Sequence, residues 1–360
     1  MGGEVAGLVS VVIPARNEEA SIERAVRSVA AQEGVREIIV VDDQSTDHTG
    51  MILEGLAADI PQLQRIRIES LPEGWMGKAN ALAMGARTAQ GEWLLFTDAD
   101  TEHRPGGLGT LLTRAESDSV DLLSLSPGQR VPTWWEKAVI PLVYAGLARE
   151  FKFEEVSDPS SPVAAANGQY ILIRRTAYDR IGGHESVRAE VLDDVALARN
   201  VKASGGRVLF MPGAEWAETR MYRSFSAMWE GWTKNLYTLF GGTMKSALGA
   251  ALRAVIADLL PSLVLLYFLF VLGTELLRHH VSPGTLAGVG MCLLVIAFEL
   301  MKYGRAIRRL GFISGVAKYV YLGATLFSLL LLNSARAHSR GRVRWKGRDY
   351  PTGQLKRGDE

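Results

Sequence analysis

The chain has 360 residues, of which 48% are apolar, and a formal net charge of +1. That length holds one large domain with an appendage, or two domains, and the near-neutral charge argues against a nucleic-acid partner, which calls for a basic excess. Cys292 is the single cysteine, so no intrachain disulfide can form, and a reducing compartment fits.

The apolar run at 8–13 is too short for an export signal and is followed at once by Pro14 and Arg16-Asn17-Glu18-Glu19. The expectation is an N-terminal domain that stays in the cytoplasm. Residues 9–13, rich in β-branched side chains, predict a buried strand, and Ile22, Val26 and Val29 recur at helical spacing. Residues 37–41 predict a second strand that stops at Asp42-Asp43. A polar turn then leads into a helix through Met51, Leu53 and Leu56, with Thr46 or Asp47 as its cap. Residues 66–68 predict a short strand, 77–89 an Ala-rich helix ended by Gly91, and 92–97 a strand that stops at Asp98-Ala99-Asp100. Strand and helix alternating in this order predict an α/β fold, a mostly parallel sheet with helices on both faces. Ligands of such sheets bind beyond the carboxyl ends of the strands, so the two acidic pairs are expected to face one crevice.

Further on, 134–151 predicts an apolar helix, 158–162 a loop, 169–173 a strand, 195–203 a helix opening directly after Asp193-Asp194, and 207–211 another strand. Residues 225–240 read as an aromatic-rich amphipathic helix, suited to a membrane interface or to packing between domain and anchor. From 254 onward three apolar segments follow, at 254–277, 286–301 and 312–332; a bilayer span needs roughly 20 such residues. The basic clusters at 302–309 and 336–348 both belong in the cytoplasm by the positive-inside rule. Two full spans with a re-entrant or interfacial third segment meet that charge pattern best. The expected organisation is a cytoplasmic catalytic domain at 1–223, an interfacial helix at 224–245, transmembrane or re-entrant helices at 246–335 and a basic cytoplasmic tail at 336–360.

Asp98 and Asp100, two residues apart where the chain leaves a strand, can converge on one divalent ion, Mg²⁺ or Mn²⁺, which takes carboxylates plus substrate phosphates. Such an ion neutralises a leaving nucleoside diphosphate. Asp42-Asp43 reads either as a turn and cap with Ser45 and Asp47 or as acceptors for a nucleotide's base or ribose. Asp193-Asp194 reads either as acids favoured at a helix start or as holding a general base for a hydroxyl. Lys78, in the first turn of a helix after Gly77, reads as a surface lysine or as an anion contact.

In order along the chain, Ser10-Val11-Val12-Ile13-Pro14-Ala15-Arg16-Asn17-Glu18-Glu19, Val41-Asp42-Asp43-Gln44-Ser45-Thr46-Asp47, Gly77-Lys78-Ala79-Asn80-Ala81-Leu82, Thr97-Asp98-Ala99-Asp100, Ile181-Gly182-Gly183-His184 and Leu192-Asp193-Asp194-Val195 resemble the family 2 inverting glycosyltransferases of GT-A fold. The set covers roughly 8–240 and is far more specific than any one motif. The Gly74-Trp75-Met76-Gly77-Lys78 segment and the apolar C-terminal region resemble the membrane-anchored branch with ceramide, carotenoid and hopanoid-associated glycosyltransferases. The resemblance implies that Pro14, Ala15, Arg16, Asn17, Glu18, Asp42 and Asp43 hold a nucleotide sugar, with Lys78 and Asp98 near its diphosphate. It further implies that Asp100 and Asp98 bind Mn²⁺ or Mg²⁺, that Asp194 is the base, and that Asp193 supports it. The expected reaction is inverting transfer of a single sugar, from a UDP-sugar for preference, to a lipid or lipid-linked acceptor at the inner cell membrane. Processive members carry Gln-x-x-Arg-Trp; here Glu230-Gly231-Trp232-Thr233-Lys234 stands in its place, which weighs against a polysaccharide synthase. A non-catalytic nucleotide-binding scaffold is the remaining alternative.

Overall fold

The computed structural model describes residues 7–351; residues 1–6 of the expected catalytic domain and 352–360 of the expected tail lie outside them. In chain order the elements begin β1 (Val9–Ala15), α1 (Ile22–Ala30), β2 (Val35–Asp42), α2 (Thr49–Asp59), β3 (Leu63–Arg67), α3 (Gly77–Thr88), β4 (Trp93–Thr97), β5 (Thr101–His103) and α4 (Gly107–Ser117). They continue with β6 (Leu122–Ser126), β7 (Gly128–Gln129), α5 (Trp134–Glu150), α6 (Phe153–Ser157), β8 (Tyr170–Arg174), α7 (Arg175–Arg180), α8 (Asp193–Ala203), β9 (Val208–Pro212) and β10 (Ala217–Thr219). The last elements are α9 (Phe225–Leu239), α10 (Met244–Ala254), α11 (Leu260–Leu277), α12 (Pro283–Arg309), α13 (Val320–Ser339), β11 (Arg342–Trp345) and β12 (Arg348–Pro351).

The chain divides into two compact units. The first comprises 1–130, 151–224 and 341–360; the second comprises 131–150 and 225–340. The sequence, read along its line, predicts 131–150 within the catalytic domain and a separate tail at 336–360.

In the first unit seven strands lie in the order β3-β2-β1-β4-β8-β6-β9. The β1/β2, β1/β4, β2/β3 and β6/β9 pairs are parallel, and β8 alone runs against both its neighbours. The sheet is buried on both faces, so its strands are almost wholly apolar rather than alternating. Val9, Val11 and Ile13 face a core closed by α1, α2 and α4, whereas Val12, with Ile39 and Val41, faces one closed by α3 and α8. Helix α1 buries Ile22, Ala25, Val26 and Val29, one stripe at helical spacing; each Ile or Val so buried is worth about 1.5–3 kcal/mol. Helix α3 lies against β1 because Gly85 has no side chain: a Cβ there would stand 2.3 Å from Val12 Cγ1.

Two expected boundaries shift. The cap position of α2 is His48, while Asp47 Oδ1 accepts from the Thr49 backbone N–H (3.0 Å) and hydroxyl (2.6 Å). Helix α3 is capped by Ala89, not ended by Gly91. Gly91 serves close packing instead, since a Cβ on it would meet the Ser10 nitrogen at 2.6 Å. Helix α4 and strand β6 were not expected. A small sheet, β5-β10-β7, completes this unit.

In the second unit, helices Met244–Leu277, Pro283–Arg309 and Gly315–Ser339 are each long and apolar enough to cross a membrane. The buried share of an 18-residue apolar stretch in each rises from 0% through 11% to 44%, so the third is the most enclosed of the three. Helix α11 has no fully buried residue, and an apolar helix left largely uncovered by protein is what a bilayer accommodates. Helix α13 instead crosses α5 so closely that a Cβ on Gly323 would lie 2.2 Å from the Ala138 carbonyl oxygen. Helix α9 buries Met228, Trp232 and Leu236, one face, and is tied to α13 by Ser334 Oγ, which donates to the Thr233 carbonyl (2.6 Å) and accepts from the Tyr237 N–H (2.9 Å).

Candidate active site

The carboxyl ends of β1, β2 and β4 form one edge of the seven-stranded sheet. At the end of β1, Pro14 and Ala15 pair in register with Val41 and Asp42, and the Asp43 N–H donates to the Ala15 carbonyl (2.8 Å). Asn17 adopts φ 53°, a left-handed turn that asparagine tolerates. Its N–H donates to Ser45 Oγ (3.0 Å) and its Oδ1 accepts from the Thr46 N–H (2.8 Å). Arg16 Nη1 donates to the Asp43 carbonyl (2.7 Å), and the Glu18 N–H donates to Thr49 Oγ1 (2.8 Å). These bonds lock the segment after β1 onto the segment after β2.

The two acids at the end of β2 part company. Asp42 is buried, accepting from the Ser45 N–H (3.0 Å) on one oxygen and from Arg65 (2.9 Å) on the other; it organises the turn. Asp43 faces the start of α3, where a Cβ on Gly77 would stand 2.8 Å from its Oδ2.

At the end of β4, the Thr101 N–H donates to the Asp98 carbonyl (3.1 Å), closing a turn that sets Asp98 and Asp100 beside each other. Asp98 Oδ1 accepts from Lys78 Nζ at 2.6 Å. Asp100 Oδ1 accepts from Thr219 Oγ1 (3.1 Å) on β10. Burial pushes the Asp100 carboxyl up to about 7, helped by the charges of Glu18 and Asp98 and opposed by Lys346. An oxygen-only pair with surplus negative charge fits a hard divalent cation. Among the described residues no group of three His, Cys, Asp or Glu forms a complete cage, so such an ion would draw its other ligands from water or phosphate.

Lys78 stands in the first turn of α3, directly after Gly77. Burial disfavours its ammonium, yet the carboxylates of Asp98, Asp193 and Asp194 outweigh that and hold the group above its ordinary value. Asp193 and Asp194 open α8, where the free N–H groups of a helix start favour carboxylates. Asp194 Oδ2 accepts from the Gly168 N–H (2.8 Å) and its Oδ1 from the Val195 N–H (2.8 Å). A Cβ at Gly168 would lie 2.7 Å from Lys78 Nζ and 3.4 Å from Asp194 Oδ2, so glycine there leaves room for both groups on its two sides. Burial and the neighbouring Asp193 push the Asp194 carboxyl up to about 6, against the pull of Lys78 and the two N–H donors. Asp98, Asp100, Lys78, Asp193 and Asp194 therefore share one crevice.

His184 lies outside the crevice chemistry. Its ring is buried edge-on to Phe96 (4.6 Å between centroids), 3.0 Å from the Tyr178 hydroxyl, and burial lowers it to about 3. Residues that the sequence reading did not single out also line the crevice. Gly168 and Thr219 carry no chemical motif. Lys346 and Arg348, which the sequence presents as tail charges, bond to Glu18 and Asp43.

Residues 10–182 match the family model described as Glycosyl transferase family 2. The chain is 26% identical over 349 residues to a 4,4'-diaponeurosporenoate glycosyltransferase of Staphylococcus aureus strain MRSA252, covering 95% of this chain and 88% of the relative. Among solved structures, the mannosyltransferase PcManGT from Pyrobaculum calidifontis, in complex with GDP-Man and Mn2+, superposes with TM-score 0.50 at 18% identity, covering 92% of this chain and 87% of the other. Staphylococcus aureus TarS with UDP-GlcNAc gives TM-score 0.43 at 15% identity, covering 93% and 92%.

Proposed function

The chain carries a glycosyltransferase family 2 domain of GT-A fold and is a glycosyltransferase, and from that premise we propose that it transfers a single sugar, with inversion, from a nucleotide-diphosphate sugar to a lipid-like acceptor at the membrane. The observation that carries this reading is the Lys78 ammonium, which bonds Asp98 at the end of β4 and lies within electrostatic reach of Asp194 at the start of α8. One cation thus joins the carboxylates suited to a leaving diphosphate with the carboxylate suited to an attacking hydroxyl.

The segment Pro14–Glu18 and Asp43 line the nucleoside end. Asp98 and Asp100 would hold Mn²⁺ or Mg²⁺, which when bound supplies Lewis-acid neutralisation of the departing diphosphate. Asp194, oriented by two backbone N–H groups and raised to about 6, takes the acceptor hydroxyl's proton near neutral pH. The acceptor oxygen forms its bond to the anomeric carbon as the bond to the diphosphate oxygen breaks. Lys78 faces the charge that develops there. Asp193 supports the helix start that holds Asp194. A UDP-sugar is the preferred donor.

Three apolar helices and the name of the Staphylococcus aureus relative support a lipid-like acceptor at a membrane. The basic clusters at 302–309 and 336–348 support a cytoplasmic catalytic unit on the inner cell membrane. The missing Arg-Trp near Trp232 favours one transfer per acceptor over processive synthesis. The test is a panel of nucleotide sugars with Mn²⁺ and a total lipid extract, read by mass spectrometry. A singly glycosylated lipid is expected, absent in Asp194→Asn although that variant still binds nucleotide. Full transfer by Asp194→Asn would sink the assignment of the base, and a ladder of long products would replace single transfer with polymer synthesis.

A further inference from the structure

Strands β11 and β12 form a hairpin whose register pairs Trp345 with Arg348, leaving Lys346-Gly347 as a two-residue loop. Both loop residues have positive φ, 46° and 78°, the pattern of a type I′ turn, in which asparagine or glycine is preferred at the first position. A lysine there is conformationally strained, and strain retained at one residue points to use.

The hairpin is anchored and aimed. Val343 and Tyr350 pair across it and are both buried, and the Trp345 ring meets Tyr222 edge-on at 6.4 Å. Its tip enters the crevice. Lys346 Nζ donates to the Arg16 carbonyl (2.9 Å) and to the Glu18 carboxylate, while its own carbonyl accepts from Arg16 Nε (3.2 Å). Arg348 grips both oxygens of Asp43, at 2.5 and 2.9 Å, and donates to Gln44 Oε1 (2.9 Å). Its Nη1 and the Tyr350 hydroxyl lie 2.6 and 3.4 Å from where a Cβ on Gly77 would be, beside the start of the helix that carries Lys78.

Resting on the donor reading above, we propose that Lys346 is a donor-binding residue: the hairpin tip delivers its ammonium to the diphosphate of the nucleotide sugar, and the Arg348–Asp43 pair holds the strap closed over it. The argument is one of charge and place. Glu18, Asp43, Asp98 and Asp100 line the crevice, so a dianionic diphosphate entering it meets an excess of negative charge that further cations would offset. Lys346 adds its charge at the segment after β1, across the crevice from α3. Arg348, bidentate on a carboxylate that is almost fully buried, is the geometry that holds best.

The test uses the full chain in lipid nanodiscs, titrated calorimetrically with UDP, GDP and the two parent nucleosides. Lys346→Asn removes the charge while suiting the turn better than lysine does, so a loss in this variant is not a loss of fold. Lys346→Asn is expected to weaken the bound nucleoside diphosphate about tenfold or more, the value of one charge-assisted bond, and to leave the nucleoside unchanged. Lys346→Arg is expected to stay within about threefold of wild type. Unchanged diphosphate binding in Lys346→Asn overturns the proposal, and tighter binding overturns it in favour of a plug. Wild-type protein that binds neither UDP nor GDP defeats the donor reading itself, whereas wild-type binding with an indifferent Lys346→Asn defeats the hairpin alone.

Discussion

Replacing Lys78 with Met removes an ammonium that stands among Asp98, Asp193 and Asp194. In the proposed role of general base Asp194 acts deprotonated, so transfer is expected to be lost as pH falls through its pKa, pushed up to about 6 in the intact site. Without the cation the carboxylate is less favoured, and the acid limb moves to higher pH. Two unit charges just beyond salt-bridge range, about 5 Å apart, interact by roughly 3 kcal/mol at an effective dielectric of 20. The Lys78 side chain is 36% exposed, and solvent-screened pairs measure about 1 kcal/mol or less. An intermediate ~1.5 kcal/mol corresponds to about one pH unit, which carries the limb to about 7. The plateau also falls, by about 10²-fold or more, as expected when a donor facing the leaving group is lost. The assay is the initial rate of glycolipid formation across pH at saturating donor, for wild type and Lys78→Met. An active variant whose limb stays where the wild type's lies would refute the link between Lys78 and Asp194, and with it the joined site.

Chelation with EDTA is expected to abolish transfer, and added Mn²⁺ or Mg²⁺ to restore it in wild type but not in Asp100→Asn; undiminished transfer in EDTA counts against a metal at Asp98 and Asp100. Gly85→Ala drives a Cβ to 2.3 Å from Val12 Cγ1. Overpacking of about 1–3 kcal/mol exceeds the roughly 0.5–1 kcal/mol gained by replacing a helical glycine, so a melting temperature lower by a few degrees is expected in circular dichroism. Gly323→Val sets a branched side chain against the Ala138 carbonyl oxygen, 2.2 Å from the new Cβ. The crossing of α13 over α5 should open at a cost of about 1–3 kcal/mol or more, visible as loss of monodisperse protein in detergent; normal yield and melting would show that the crossing tolerates bulk.

The first half of the sheet was legible because its strands are continuous β-branched runs that stop at acidic pairs, and the helices between them carry apolar stripes at helical spacing. The antiparallel course of β8 was not legible, since a strand buried on both faces reads the same in either direction. Helix α4 was hidden by the glycines and threonine of its first turn, which have low helix propensity. In the site, Asp98, Asp100, Lys78 and Asp194 stood out by motif. That Asp42 and Asp43 divide their work was invisible, because Arg65 and Arg348, their separate partners, are set by tertiary contacts. The basic residues at 342–348 spoke so plainly of membrane topology that a role inside the crevice went unread; the signal was present in Lys346-Gly347, a pair at the tip of what alternating Val343, Trp345 and Tyr350 mark as a hairpin.

The first unit is threaded by three separate stretches of chain, the last of which begins at Gly341. During translation the seven strands can assemble long before that stretch exists, because the ribosome must first make residues 225–340, a delay of roughly 6–23 s at ordinary elongation rates. Those intervening residues contain the apolar helices. The growing chain thus completes its apolar helices while its crevice still lacks Lys346 and Arg348, and the order of synthesis itself delays completion of the site until those helices have been made.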